Sequence, residues 1–144
     1  LSHITRVAFP ISDLECLEKA GKDLNGEFCK DQRTYKWFGQ FVGDTPMPEG
    51  MTRETIGKCE HAIRFAGATY EVGVAQLSDG SYELRYDYFS AGGLPKIIGD
   101  NANLLRQRYT AQLVMKDRRQ QGYRVWEERN HTTGRPRIIA ERER

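Results

Sequence analysis

Apolar and polar residues alternate from the start of the chain. His3 to Ile11 sets Thr5, Val7 and Phe9 on one face and Ile4, Arg6 and Ala8 on the other, the two-residue period of a strand, which Pro10 ends. Ser12-Asp13-Leu14-Glu15 then spells a capping box, with the Ser12 hydroxyl accepting from the Glu15 amide and Glu15 reaching back. Ile11 and Cys16 flank it as a hydrophobic staple. Leu14, Leu17, Gly21 and Leu24 recur at helical spacing, and Gly26 is placed to close that helix at positive φ. Residues Glu27 to Phe38 read as a second strand on the strength of Tyr35, Trp37 and Phe38.

From Gly39 to Gly57 the pattern lapses. Glycines and prolines punctuate a stretch with sparse apolar residues, read as a long exposed loop or inserted lobe. Strands follow at Cys59 to Ala66 and at Thr69 to Leu77, the latter with Tyr70, Val72 and Val74 on one face. Ser78-Asp79-Gly80-Ser81 makes a hairpin turn, because Asp-Gly tolerates the positive φ of tight hairpins. The returning strand, Tyr82 to Phe89, puts Tyr82, Leu84, Tyr86 and Tyr88 on one face. Glu83, Arg85, Asp87 and Phe89 take the other, the normal place for charge.

Ala91-Gly92-Gly93 reads as a flexible turn into a helix from Asp100 to Gln121. Ala102, Leu105, Tyr109 and Leu113 form its apolar stripe, widened by Leu104 and Met115. Lys116, Arg118 and Arg119 complement the negative end of its dipole, and Gly122 closes it. Strands from Tyr123 to Arg129 and from Arg135 to Glu141 finish the chain, with Thr132-Thr133-Gly134 in the turn. The order β-α-β-(insert)-β-β-β-α-β-β predicts one α+β domain over residues 1–144. A mainly antiparallel sheet packs against two helices, with the insert at 39–57.

Composition narrows the class. The 144 residues carry 22 Lys and Arg against 20 Asp and Glu, a formal net charge of +2, which excludes a histone-like polycation and an acidic DNA mimic. Apolar residues are only 38%, but 6 Phe, 7 Tyr and 2 Trp let a small core bury much area, so wholesale disorder is not expected. No apolar run approaches the ~18 residues of a membrane span, and no signal peptide is expected. Cys16, Cys29 and Cys59, an odd number at unrelated spacings, read as free thiols in a reducing compartment.

Chemistry-bearing motifs are few. Cys59 and His61 share a strand face, but a metal site needs three or four converging ligands and no second pair exists. No nucleophile elbow occurs, and Ala91-Gly92-Gly93-Leu94-Pro95-Lys96 is not a phosphate-binding loop. No cofactor is therefore expected. Arg106, Arg108, Lys116, Arg118, Arg119 and Arg124 gather in the C-terminal third, joined by Arg129, Arg135 and Arg137 and interleaved with Tyr109, Tyr123 and Trp126. A basic face with aromatics suits nucleic acid, with Arg118, Arg119 and Arg124 as the phosphate contacts, although Glu127, Glu128 and Glu141 dilute it.

The opening Ser2-His3-Ile4-Thr5 and Asp13-Leu14-Glu15-Cys16-Leu17 resemble the start of the hypothetical chloroplast reading frame thirty-five family. This domain of unknown function occurs in plastids, cyanobacteria, other bacteria and phages. The resemblance continues through Tyr70-Glu71-Val72-Gly73-Val74, Asp79-Gly80-Ser81-Tyr82-Glu83-Leu84, Leu104-Leu105-Arg106-Gln107-Arg108-Tyr109 and Gln121-Gly122-Tyr123. It departs at Asp87-Tyr88-Phe89, where members often have Asp-Trp-Trp, and residues 39–57 look longer than usual. The resemblance implies a compact α+β fold, no established chemistry and, from the genes near which members lie, an accessory role beside an AAA-type ATPase.

The expectation is a small, non-catalytic binding or accessory protein in the cytoplasm, or in the plastid stroma or a phage-infected cell if the source is one of those. Phe41, Met47 and Met51 are its candidate partner contacts, because apolar side chains on an exposed loop are available to a groove. Their competing reading is that the loop folds back over the sheet beside Trp37. The alternatives in function are nucleic-acid binding by the C-terminal third and a small enzyme with a site around Tyr86, Asp87 and Gly92-Gly93.

Overall fold

The computed structural model describes residues 3–39 and 46–142. Five antiparallel strands form the main sheet in the order β1-β5-β4-β3-β2: β1 (Ile4–Ile11), β2 (Gly26–Cys29), β3 (His61–Phe65), β4 (Glu71–Gln76) and β5 (Tyr82–Asp87). The helices are α1 (Leu14–Asp23), α2 (Leu94–Ile98) and α3 (Asn103–Gln120). A separate two-stranded sheet pairs β6 (Tyr123–Arg129) with β7 (Pro136–Arg142). The α+β class and its strand order along the chain are as the sequence predicts. The separate sheet and the one-turn helix α2 are additions to it.

The main core lies between the sheet and the helices. Val7, Ile11, Ile63, Phe65, Val72, Val74, Leu84 and Tyr86 meet Leu17 and Ala20 of α1, Leu94 and Ile98 of α2, and Leu105 and Tyr109 of α3. The hairpin of β4 and β5 is central, as its alternation predicts, and Leu84 is wholly buried. Leu104, expected to widen the stripe of α3, is instead exposed. The turn read at residues 91–96 is packed rather than loose: Leu94 within it is wholly buried, as is Ile98 just beyond it in the same short helix.

Local details differ from the sequence reading in three places. The cap of α1 is Asp13, whose carboxylate accepts from the Cys16 amide, and not Ser12. Asp13 also bonds Lys116 Nζ of α3 at 2.7 Å, a tertiary contact that selects it over its neighbour. The positive φ after α1 belongs to Asn25, whereas Gly26 is required because a Cβ there would lie 2.7 Å from the Phe65 ring. The second strand stops at Cys29, and the chain then crosses the opposite face of the sheet.

That opposite face carries a smaller apolar cluster of Ile4, Tyr35, Met51, Ile56, Cys59 and Ala62. Gly73 of β4 is its seat: a Cβ there would come 2.3 Å from the Tyr35 ring. The segment after 50 therefore folds back over the sheet through Met51, Ile56 and Cys59, with residues 52–55 left exposed between them. Glu83 and Asp87, expected at solvent, are 4% and 0% exposed beneath this covering layer.

Candidate functional site

Three buried carboxylates on the covered face hold the crossing chain. Asp87 accepts from the amides of His3, Phe38 and Phe89 at 3.0, 3.1 and 3.0 Å. Glu71 accepts from the Lys36 amide and from Gln32 at 2.9 Å, and pairs with Arg64 at 3.1 Å. Glu83 takes Nε and Nη2 of Arg6, the latter at 2.9 Å, and Arg85 Nε at 2.8 Å. Burial alone would raise the Glu83 carboxyl, but the hydrogen bonds from Arg6 and Arg85 outweigh it and hold the group below its ordinary value. Arg6 also donates through Nη1 to the Glu49 carbonyl, which ties the covering segment to β1.

Tyr86, Asp87 and Gly92-Gly93 are not gathered in one site: Tyr86 lines a cleft that Asp87 and Gly92-Gly93 do not. Both oxygens of Asp87 are used by backbone donors, and Gly92 is covered by Tyr70. His61 Nδ1 accepts from the Asp31 amide at 2.9 Å, and the Cys59 thiol donates to the Gln32 carbonyl. Burial pushes that thiol up to about 12. Among the described residues no group of three or more His, Cys, Asp and Glu side chains gathers as a metal site. No helix among them is long and apolar enough to cross a membrane.

The C-terminal arginines are dispersed among local partners. Arg108 joins α1, α3 and β6 through Asp23 at 2.9 Å and a two-pronged pair with Glu127 at 2.8 Å. Arg124 pairs with Glu141 at 3.1 Å and lies over the Trp126 ring. Arg119 donates to the Val125 carbonyl and Arg118 reaches Gln121. Of the candidate partner contacts, Phe41 lies outside the described residues. Met51 is buried in the smaller cluster, a correction to its expected availability, and Met47 is half-buried at a cleft.

That cleft borders the edge of the sheet. β1 is an outer strand, and the backbone pairing sets which groups face outward. The His3 carbonyl accepts from the Tyr88 amide, so by alternation Thr5 and Val7 exchange bonds with Tyr86 and Leu84. The amides of Ile4, Arg6 and Ala8 and the carbonyls of Ile4 and Arg6 therefore point away from the sheet. Among the described residues no hydrogen bond engages any of them. Beyond Val7 the register slips, three residues standing opposite Glu83, so the regular edge is short.

A cleft lies on each side of this edge. One, of about 510 Å³, is lined by Ile4, Arg6, Ala8, Met47, Glu49 and Glu83, among others. The second, of about 370 Å³, is lined by Thr5, Tyr86, Tyr88, Ser90, Pro95, Asp100 and Asn101. Asn101 and Ala102 both have positive φ, 52° and 54°, which turns the chain into α3 and sets Asp100 at the cleft's rim. Tyr88 stands between the two clefts and is 42% exposed. The sequence reading missed this site. Its one signal was the strand pattern at the start of the chain, which does not say whether the strand is central or at an edge.

Residues 43–139 match the family described as "Protein of unknown function (DUF1257)". The match runs from the covering segment through most of β7 and is consistent with the resemblance noted from the sequence. No curated protein and no solved structure matches the chain.

Proposed function

The chain belongs to this family of unknown function, DUF1257, and on that premise we propose that it is a non-catalytic protein-binding module, which takes an extended segment of a partner as a sixth strand on β1. The observation that carries the reading is the row of unbonded backbone groups on Ile4, Arg6 and Ala8, with a cleft on either side. Strand addition uses such a row for affinity and flanking pockets for alternate side chains. The buried carboxylates of the opposite face have structural partners, which leaves them a scaffolding role. An AAA-type ATPase is the first partner to assay, and the free thiols fit a cytoplasmic setting.

Ala8→Pro is the discriminating variant. Its amide points outward, so proline removes a donor from the open edge without breaking the ladder to β5. A partner retained by the native chain and released by a folded Ala8→Pro variant supports the reading. A partner held equally by both contradicts it.

A further inference from the structure

Resting on the strand-addition reading, we infer that the segment added to β1 carries an aliphatic residue next to a basic one, the aliphatic side chain entering the larger cleft and the basic one reaching Asp100. The two clefts differ in chemistry. In the larger, Ile4, Ala8, Pro46, Met47 and Pro48 supply an apolar wall. Its charges are internally matched, with Glu83 held by Arg6 and Arg85 and Glu49 beside Arg6. In the smaller, Asp100 is the one charged lining group; Arg106 stands near, its Nε donating to the Asn101 carbonyl, but among the described residues no base lies within ion-pair distance of Asp100. It is surrounded by hydroxyl-bearing and amide-bearing residues: Thr5, Tyr86, Tyr88, Ser90 and Asn101.

Register then follows from the strand itself. Arg6 lines the larger cleft and Thr5 lines both. Neighbouring residues of an added strand point to opposite faces of the sheet, so adjacent positions facing Thr5 and Arg6 reach the two clefts at once. The slip beyond Val7 limits the regular pairing to about five residues. Self-pairing of β1 about a two-fold axis at Arg6 would set two Arg6 side chains directly opposite each other, an unfavourable cross-strand pair. A partner strand offering a cation to Asp100 is favoured over a second copy.

The test is a titration of the full chain with three capped five-residue peptides: Val-Lys-Val-Lys-Val, Val-Glu-Val-Glu-Val, and the lysine peptide methylated on alternate backbone nitrogens. The expected result is that the lysine peptide binds at least about three-fold more tightly than the glutamate peptide, an exposed ion pair and the matching repulsion each contributing a factor of that order. Asp100→Asn should remove the difference, and backbone methylation should abolish binding. Equal or tighter binding of the glutamate peptide, persistence of the preference in Asp100→Asn, or no binding of either peptide would overturn the inference. Strand addition as such is judged separately by whether Ala8→Pro releases a captured partner.

Discussion

Gly73→Ala should unfasten the covering layer from the sheet. The glycine has ordinary extended backbone, so the whole effect is steric. The new methyl would lie 2.3 Å from Tyr35 Cδ1 and 2.8 Å from Cε1. The ring cannot retreat, because it is 2% exposed among Ile4, Met51, Ile56, Cys59 and Ala62, and its hydroxyl accepts from the Gly57 amide. Overpacking typically costs about 1–3 kcal/mol, and losing the burial of a large aromatic costs about 3–5 kcal/mol. A partial eviction should therefore cost about 2–4 kcal/mol. For a chain of this size that lowers Tm by roughly 6–12 °C. Urea and thermal denaturation read the loss directly. The cycle with Tyr35→Ala identifies its source, since removing the ring should make Gly73→Ala nearly neutral. An equal cost of Gly73→Ala in both backgrounds would refute the account of the covered face.

Other consequences are as direct. Leu84→Ala should cost about 2–5 kcal/mol in urea denaturation, because the side chain is wholly enclosed between sheet and helices. Glu83 and Asp13 are both held below their ordinary values in the folded chain, Asp13 by the hydrogen bond from Lys116 first. Their stabilisation is complete above the unfolded carboxylate range and is lost as pH falls through the folded values. Stability followed by circular dichroism should decline on acidification, and Glu83→Gln should flatten that decline. Cys59, buried and with its thiol raised to about 12, should react with iodoacetamide at the rate of unfolding, as read by mass spectrometry of the modified peptide.

Much of the fold was legible wherever one face of a strand meets the helices. The hairpin of β4 and β5 follows from its alternation and from Asp79-Gly80, where Gly80 has φ 90° and the Asp79 carboxylate accepts from the Ser81 amide. What escaped depended on partners distant in sequence. Ser12 and Asp13 are both good caps, and Lys116, over a hundred residues away, favours Asp13. Tyr35 and Trp37 have the propensity of strand residues, yet their rings are used to cover the sheet. Alternation also cannot reveal a second layer, so Glu83 and Asp87 read as solvent-facing although the crossing chain buries them. The helix Leu94–Ile98 is too short for a helical period to be visible. The candidate site was the least legible element, since sheet order, not strand pattern, makes β1 an edge.

Residue-resolved amide hydrogen exchange across β1 tests the central claim most directly, on the free chain and on the chain bound to Val-Lys-Val-Lys-Val. The account predicts alternation in the free chain, with Thr5 and Val7 slow because they donate into the ladder and Ile4, Arg6 and Ala8 fast because they face outward. Binding should slow those three and leave β6 and β7 unchanged. Uniform protection of all five amides in the free chain, or slowing on binding confined to another part of the molecule, would contradict it.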